Sequence, residues 1–185
     1  MIQGKKVNLR RLDEGDLERE FHWLNDAEVT RLTQGDYALP VTRAQVRELF
    51  SEAIQGKRLF FAVETKDGTL IGDAALHPID EKNRIGELLI TIGEKEYWNK
   101  GYGTDTILLL LRLAFQEVNL QKVELKVFEY NERAIKVYER CGFQREGIRR
   151  QALFRDGRYY DQILMGILRE EFVNSSSWQD SLQRP

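Results

Sequence analysis

Tyr97-Trp98-Asn99-Lys100-Gly101-Tyr102-Gly103-Thr104 lies between a strand-like run, Arg84 to Ile92, and a helix-like run, Thr104 to Val118. A glycine turn that opens a helix is an anion-binding device. The first amides of the helix have no partner inside it, glycines let a ligand approach the backbone, and the helix dipole favours negative charge. The expected ligand carries a phosphate or pyrophosphate. The stretch is not G-x-x-x-x-G-K-[ST], because Lys100 precedes its glycines, and it is not G-x-G-x-x-G, so the phosphate loops of P-loop and dinucleotide folds are set aside.

Upstream, Arg84 to Ile92 alternates, with Glu87, Leu89 and Thr91 on one face and Leu88, Ile90 and Ile92 on the other. Before it, Arg58 to Glu64 and Thr69 to His77 read as strands around Lys66-Asp67-Gly68, an Asp-Gly hairpin signal. Lys6 to Leu12 reads as a first strand and Glu14 to Leu24 as a helix. A second helix begins at Thr42, its N-cap, carrying Val46, Leu49, Phe50 and Ala53 inward. Thr33 to Leu39 reads as irregular.

Downstream, the leucine-rich helix carries Ile107, Leu110, Leu111, Ala114 and Val118 on one stripe. Lys122 to Phe128 alternates as a strand, Asn131 to Arg140 forms a helix ended by Gly142, and Phe143 to Leu153 with Tyr159 to Leu168 form a hairpin around Arg155-Asp156-Gly157. The order is β-α-α-β-β-β-α-β-α-β-β, an α+β domain with a central sheet. The strand-helix-strand step across the glycine turn implies a parallel or splayed pair.

The 185 residues are 42% hydrophobic and 31% charged, the composition of one domain, taken as 1–173 with a polar, frayed tail at 174–185. Lys plus Arg number 28 against 30 Asp plus Glu, so no strong field draws the chain to nucleic acid or to an anionic membrane, and a small-molecule partner is expected. Met1-Ile2-Gln3-Gly4-Lys5-Lys6 lacks the apolar core of a signal peptide, which points to the cytoplasm. The single cysteine, Cys141, excludes an intramolecular disulfide, and with only His22 and His77 beside it no metal site is expected.

A second distinctive run is Glu129-Tyr130-Asn131-Glu132-Arg133-Ala134-Ile135-Lys136-Val137-Tyr138-Glu139-Arg140-Cys141-Gly142-Phe143. On a helix, Asn131, Ala134 or Ile135, and Tyr138 fall on nearly one face, which lets an amide and a phenol face the same groove. Read alone, Asn131 is an N-cap and Tyr138 a core aromatic.

Taken together, the two runs resemble the GCN5-related N-acetyltransferase (GNAT) family in motif and spacing, over nearly the whole chain up to Tyr159-Tyr160-Asp161-Gln162-Ile163. They look most like the bacterial branch of ribosomal-protein, polyamine and amino-sugar acetyltransferases. The family pattern [QR]-x-x-G-x-[GA] is met by Trp98-Asn99-Lys100-Gly101-Tyr102-Gly103 at both small positions, with Trp98 where glutamine or arginine is usual. The resemblance implies a mostly antiparallel sheet in which one parallel pair splays apart to admit acetyl-CoA, flanked by helices. It implies that the amides of Trp98 through Thr104 bind the pyrophosphate, that backbone groups of Ile90, Thr91 and Ile92 pair with the pantetheine arm as an added strand, and that Asn131 hydrogen-bonds the cofactor. By the same resemblance Tyr138 protonates the departing thiolate.

Acetyl transfer to an amine needs the neutral nucleophile, so a base is required, and Glu87 is the candidate, against the alternative of a simple ion-pair partner for Arg84 or Lys126. Cys141 has no histidine near it in sequence, so direct transfer is expected rather than an acyl-enzyme. His22, Trp23 and His77 read as packing or rim residues. Glu28, Asp36 and Tyr37, beyond the first helix, are candidate acceptor contacts. The acceptor is a polyamine, an amino sugar, another small amine or a protein N-terminus. The alternative is a non-catalytic acyl-CoA-binding regulatory module, and the edges of the final hairpin are compatible with a homodimer.

Overall fold

The computed structural model describes residues 1–33, 35 and 39–174, so Asp36, Tyr37 and all of the tail beyond Asn174 lie outside the described residues. Among the described residues, eight strands form one sheet in the order β1-β2-β3-β4-β5-β6-β8-β7. They are β1 (Ile2–Gln3), β2 (Val7–Arg11), β3 (Leu59–Thr65), β4 (Leu70–Asp80), β5 (Ile85–Ile92), β6 (Lys122–Phe128), β7 (Gln144–Arg155) and β8 (Arg158–Leu168). The helices are α1 (Leu17–Leu24), α2 (Ala27–Thr33), α3 (Arg43–Ile54), α4 (Tyr102–Arg112), α5 (Glu132–Arg140) and α6 (Arg169–Val173). The expected α+β class and the parallel pair, β5 with β6, are both present. No described helix is long and apolar enough to cross a membrane.

The chain clusters into two compact units, Met1–His77 with Leu89–Leu109, and Pro78–Leu88 with the chain from Leu110 on. In the first, β2 pairs antiparallel with β3, and β3 with β4. Val46, Phe50 and Ala53 of α3 bury against Leu12, Leu17 and Ala62. Thr42 caps this helix as expected: its hydroxyl accepts from the Gln45 amide at 3.3 Å, and the Gln45 side chain accepts from the Thr42 amide at 2.8 Å, a reciprocal capping box. Leu49, expected to point inward, is instead 58% exposed. It lies at the edge of the stripe that Val46, Phe50 and Ala53 define, where a neighbouring position already fills the core.

Two elements here exceed the expectation. Strand β1 adds to the sheet edge beside β2. Helix α2 begins where the Asp26 carboxylate accepts the amides of Glu28 (2.9 Å) and Val29 (3.3 Å). The first helix also starts later than Glu14, because Glu14–Asp16 forms a 3-10 turn capped by Asp13.

In the second unit, β6 pairs with β5 over three rungs only, Ile85 with Lys122, Gly86 with Val123 and Glu87 with Glu124, although β5 runs on to Ile92 and β6 to Phe128. This is the early end of pairing that a splayed pair requires. On its other side β6 pairs with β8 along its full length, from Lys122 opposite Leu168 to Phe128 opposite Gln162. Asp156 and Gly157 both take positive φ, 51° and 76°, so the β7–β8 turn has the twist that Asp-Gly supplies. The leucine-rich helix does not run as a plain α-helix to Val118: Leu113–Glu117 forms a π-turn, with the Val118 amide reaching the Leu113 carbonyl at 3.0 Å.

Candidate active site

In the first unit, β5 ends at Ile92 and a short 3-10 turn, Lys95–Tyr97, leads into the glycine turn. The Trp98 indole donates to the Ile92 carbonyl at 2.6 Å, tying the turn to the strand that precedes it. Asn99 and Gly101 both adopt positive φ, 59° and 85°, and α4 starts at Tyr102. The Gly101 conformation is the one that glycine adopts without cost. The amides of Tyr102, Gly103 and Thr104 are the first of the helix and have no intrahelical acceptor. A Cβ on Gly103 would meet only the Ile92 Cγ1, at an ordinary 3.9 Å, so the helix end has open space over it.

Sequence reasoning missed what completes this turn. Lys6 brings its ammonium to the Lys100 carbonyl at 2.9 Å, beside Gly101 and over the Tyr102 ring. Asp105 holds it there: its carboxylate accepts the backbone amides of Lys6 (2.7 Å), Val7 (2.9 Å) and Lys5 (3.2 Å). An acid in the first turn would otherwise oppose a phosphate, but both Asp105 oxygens are engaged by the start of β2. Unpaired amides with a lysine beside them suit a polyanion such as the pyrophosphate of acetyl-CoA. The pairing with Lys6 spans 94 residues of sequence, and no local motif announces it.

Ile90, Thr91 and Ile92 stand at the end of β5, with the Ile92 carbonyl already taken by Trp98. Thr91 also meets β4. A Cβ on Gly72 would lie 2.0 Å from the Thr91 carbonyl oxygen, so only glycine lets the two backbones approach this closely. Glu28 is ion-paired with Lys95 at 3.1 Å, and Asp26 holds the same ammonium at 2.8 Å, so Glu28 stands in an acidic pair that already binds an alkylammonium.

In the second unit, Glu87 pairs with Lys126 at 2.7 Å, one of the two ion-pair partners foreseen for it; its side chain is 15% exposed. Asn131 caps α5, its side-chain oxygen accepting from the Ala134 amide at 3.2 Å. Asn131, Ile135 and Tyr138 are all buried on one face of this helix, as their spacing requires. The Tyr138 ring packs edge-to-face on Phe143 with centroids 5.8 Å apart. Burial, with the Cys141 thiol nearby, pushes the Tyr138 phenol well above its ordinary value, so it stays protonated and can donate. Burial also pushes the Cys141 thiol up to about 12, which removes the thiolate that covalent catalysis would need.

Three comparisons bear on this arrangement. Residues 6–144 match the profile of the acetyltransferase (GNAT) domain. The spermidine N(1)-acetyltransferase of Vibrio cholerae is 32% identical over 175 residues, covering 94% of this chain and 99% of that protein. The SPbeta prophage-derived uncharacterized N-acetyltransferase YokL of Bacillus subtilis is 31% identical over 169 residues, covering 91% and 93%. Among solved structures, spermidine N-acetyltransferase from Vibrio cholerae in complex with CoA and spermine superposes with a TM-score of 0.83 at 30% identity, covering 91% of this chain and 98% of that one. With the profile spanning both distinctive runs and the β5–β6 parallel pair in place, the chain belongs to the GNAT family of N-acetyltransferases, enzymes whose acetyl donor is acetyl-CoA.

Proposed function

We propose that this enzyme transfers acetyl directly from acetyl-CoA to a primary amine of a polyamine. The observation that carries the donor half is the glycine turn at the start of α4 with the Lys6 ammonium beside it. The acceptor half is supported by the spermidine acetyltransferases that resemble the chain over nine-tenths of its length. The Asp26 and Glu28 carboxylates, which hold the Lys95 ammonium, support it too. In this reading Glu28 is an acceptor contact, and Asp36 and Tyr37, outside the described residues, are proposed with it.

An alkylamine with a pKa near 10.4 is almost wholly protonated at neutral pH. Glu87 takes that proton, directly or through a water, and the freed lone pair attacks the thioester carbonyl. A backbone amide near Ile90 stabilises the oxyanion. The carbon–sulfur bond then breaks, Tyr138 gives its proton to the departing sulfur, and the proton left on the new amide nitrogen returns to the Tyr138 phenolate, directly or through water, leaving a neutral amide and CoA thiol. Asn131 hydrogen-bonds the cofactor, and Ile90 and Thr91 carry its pantetheine arm.

Acetyl-CoA titration by calorimetry, followed by CoA release across spermidine, spermine, amino sugars and N-terminal peptides, tests the whole reading. Release stimulated by the polyamines supports it. Stimulation by the peptides or sugars alone overturns the acceptor, and binding without release to any of them makes the chain an acyl-CoA-binding module. A relative has been solved as a dodecamer, and we infer a homo-oligomer here, which the mass of the particle in solution checks.

Two substitutions separate the halves of the site. Gly103→Glu introduces a carboxylate at the helix end, where its Cβ fits without a clash; acetyl-CoA affinity should fall about 10- to 100-fold, the loss of one or two charge-assisted hydrogen bonds, with Tm unchanged. Unchanged affinity by calorimetry excludes the loop assignment. Glu87→Gln should lower kcat/KM about 100-fold at pH 7, and the deficit should shrink as pH rises toward the amine pKa, because neutral amine is then supplied by the solvent. A deficit constant with pH would leave Glu87 as the partner of Lys126 only.

A further inference from the structure

The first unit buries a set of acids that the proposed reaction does not use. Arg10, Ala62 and Asp73 are directly opposite one another on β2, β3 and β4, so their side chains share the face of the sheet on which Leu17 of α1 packs against Ala62. The Arg10 guanidinium bonds both Asp16 oxygens at 2.7 Å, Glu64 at 2.6 Å and the Arg11 carbonyl at 3.0 Å. Two further carboxyl groups face the same region, Glu20 from α1, 1% exposed, and Asp73 from β4, 7% exposed. Glu20 Oε1 has no hydrogen-bond partner among the described residues.

The charge count decides the protonation state. Asp16, Glu20, Glu64 and Asp73 are four carboxyl groups facing one guanidinium, and Arg10 spends its donors on Asp16 and Glu64. Elsewhere on α1 the charges are satisfied separately, with Glu94 bound by Arg19, the residue before Glu20, at 2.7 Å and by the Trp23 indole at 3.1 Å. Asp13 lies on the solvent side of Arg10, at 3.8 Å. An isolated buried carboxylate costs far more than a buried neutral acid. Asp73 follows Gly72, whose backbone lies so close to β5 that a Cβ there would stand 2.0 Å from the Thr91 carbonyl oxygen.

We propose that Glu20 and Asp73 hold a proton between α1 and β4, and that through the close approach of β4 to β5 at Gly72 and Thr91 this proton makes acetyl-CoA binding at the end of β5 sensitive to pH. The coupling rests on the reading of that strand as the cofactor's; the proton itself does not. Its sign follows from charge. Asp73 stands beside the strand that leads into the glycine turn, so a negative charge appearing there opposes the polyanionic cofactor, and by reciprocity bound cofactor favours the protonated carboxyl. Asp73 is therefore a positioning residue.

The titration is placed by burial. Asp73 is raised by desolvation to about 7, against the Thr91 hydroxyl, and Glu20 is raised well above the ordinary carboxylate range by burial and by the carboxylates of Asp73 and Asp16. Both folded values exceed the unfolded ones, near 4. The stability tied to protonation of the pair is therefore complete below about pH 4 and is lost as pH rises through the raised folded values, about 7 for Asp73.

Infrared spectroscopy of the full chain and calorimetry with acetyl-CoA test both parts. The carbonyl band of a neutral carboxylic acid should be present at pH 6, diminish by pH 8.5, and weaken in Glu20→Gln and in Asp73→Asn. Acetyl-CoA affinity should fall about fivefold or more between pH 6 and pH 8 in the wild type beyond any change seen in Asp73→Asn, which cancels the cofactor's own titration. Tm of Glu20→Gln should exceed that of the wild type at pH 8 and converge with it at pH 5. No neutral carboxyl band at pH 6 overturns the proposal. A titrating band with the same affinity ratio in wild type and Asp73→Asn overturns the coupling. A titrating band with no acetyl-CoA binding at either pH removes the acetyl-CoA reading of the strand and leaves the proton pair.

Discussion

Gly72→Ala is expected to lower stability by about 3 kcal/mol or more and Tm by roughly 6–12 °C for a chain of this size, with acetyl-CoA affinity falling in the same variant. The cause is backbone against backbone. An alanine Cβ at this position would stand 2.0 Å from the Thr91 carbonyl oxygen and 3.0 Å from the Ile92 Cα. No rotamer relieves such a contact, so β4 and the end of β5 must separate. The carbonyl of Ile71 accepts the amides of both Gly93 (2.9 Å) and Glu94 (3.1 Å), so those bonds are strained or lost in the separation.

The size of that loss separates Gly72 from the other glycines. At Gly68 a Cβ meets nothing within 4 Å, so the penalty is only that of a positive φ, 85°, about 1–2 kcal/mol. At Gly103 there is neither a clash nor a positive φ. Urea unfolding of Gly72→Ala, Gly68→Ala and Gly103→Ala should rank them in that order. Equal stability of Gly72→Ala and the wild type would mean that β4 and β5 are further apart than described.

These differences also explain how far the sequence could be read. The glycine turn, the Thr42 and Asn131 caps and both Asp-Gly hairpins are local devices, in which a side chain or a positive φ acts within four residues. Each was visible in the sequence because its partners are neighbours in the chain. The end of β5–β6 pairing after Glu87 carries no such mark, because register depends on what packs on each face. Lys6 at the glycine turn, Asp105 beneath it and the Arg10–Asp16–Glu64 network are contacts between distant parts of the chain. Glu20 is the clearest case. Between Arg19 and Phe21 it reads as a solvated helix residue, and only the fold puts it in the core. Leu49 is the reverse, an apolar residue in helical register that the fold leaves 58% exposed.

Tyr138→Phe should lower turnover about 100-fold while leaving Tm and the dissociation constant for acetyl-CoA unchanged. General acid assistance supplies about 10²–10⁴. The lower figure applies because an alkyl thiol, with a pKa near 8.5, is already a fair leaving group at neutral pH. Phenylalanine keeps the edge-to-face contact with Phe143 and the volume beside Ile135, so the substitution removes a hydroxyl and nothing else. Burial holds the wild-type phenol above its ordinary value of about 10, so the wild type should show no loss of activity from Tyr138 deprotonation anywhere below pH 10. Steady-state rates across pH 6–10 for both proteins check the two statements together. A parallel deficit at every pH identifies Tyr138 as the proton donor to sulfur. Full activity in the variant assigns the ring to packing on α5 and moves the departing thiolate's proton to solvent.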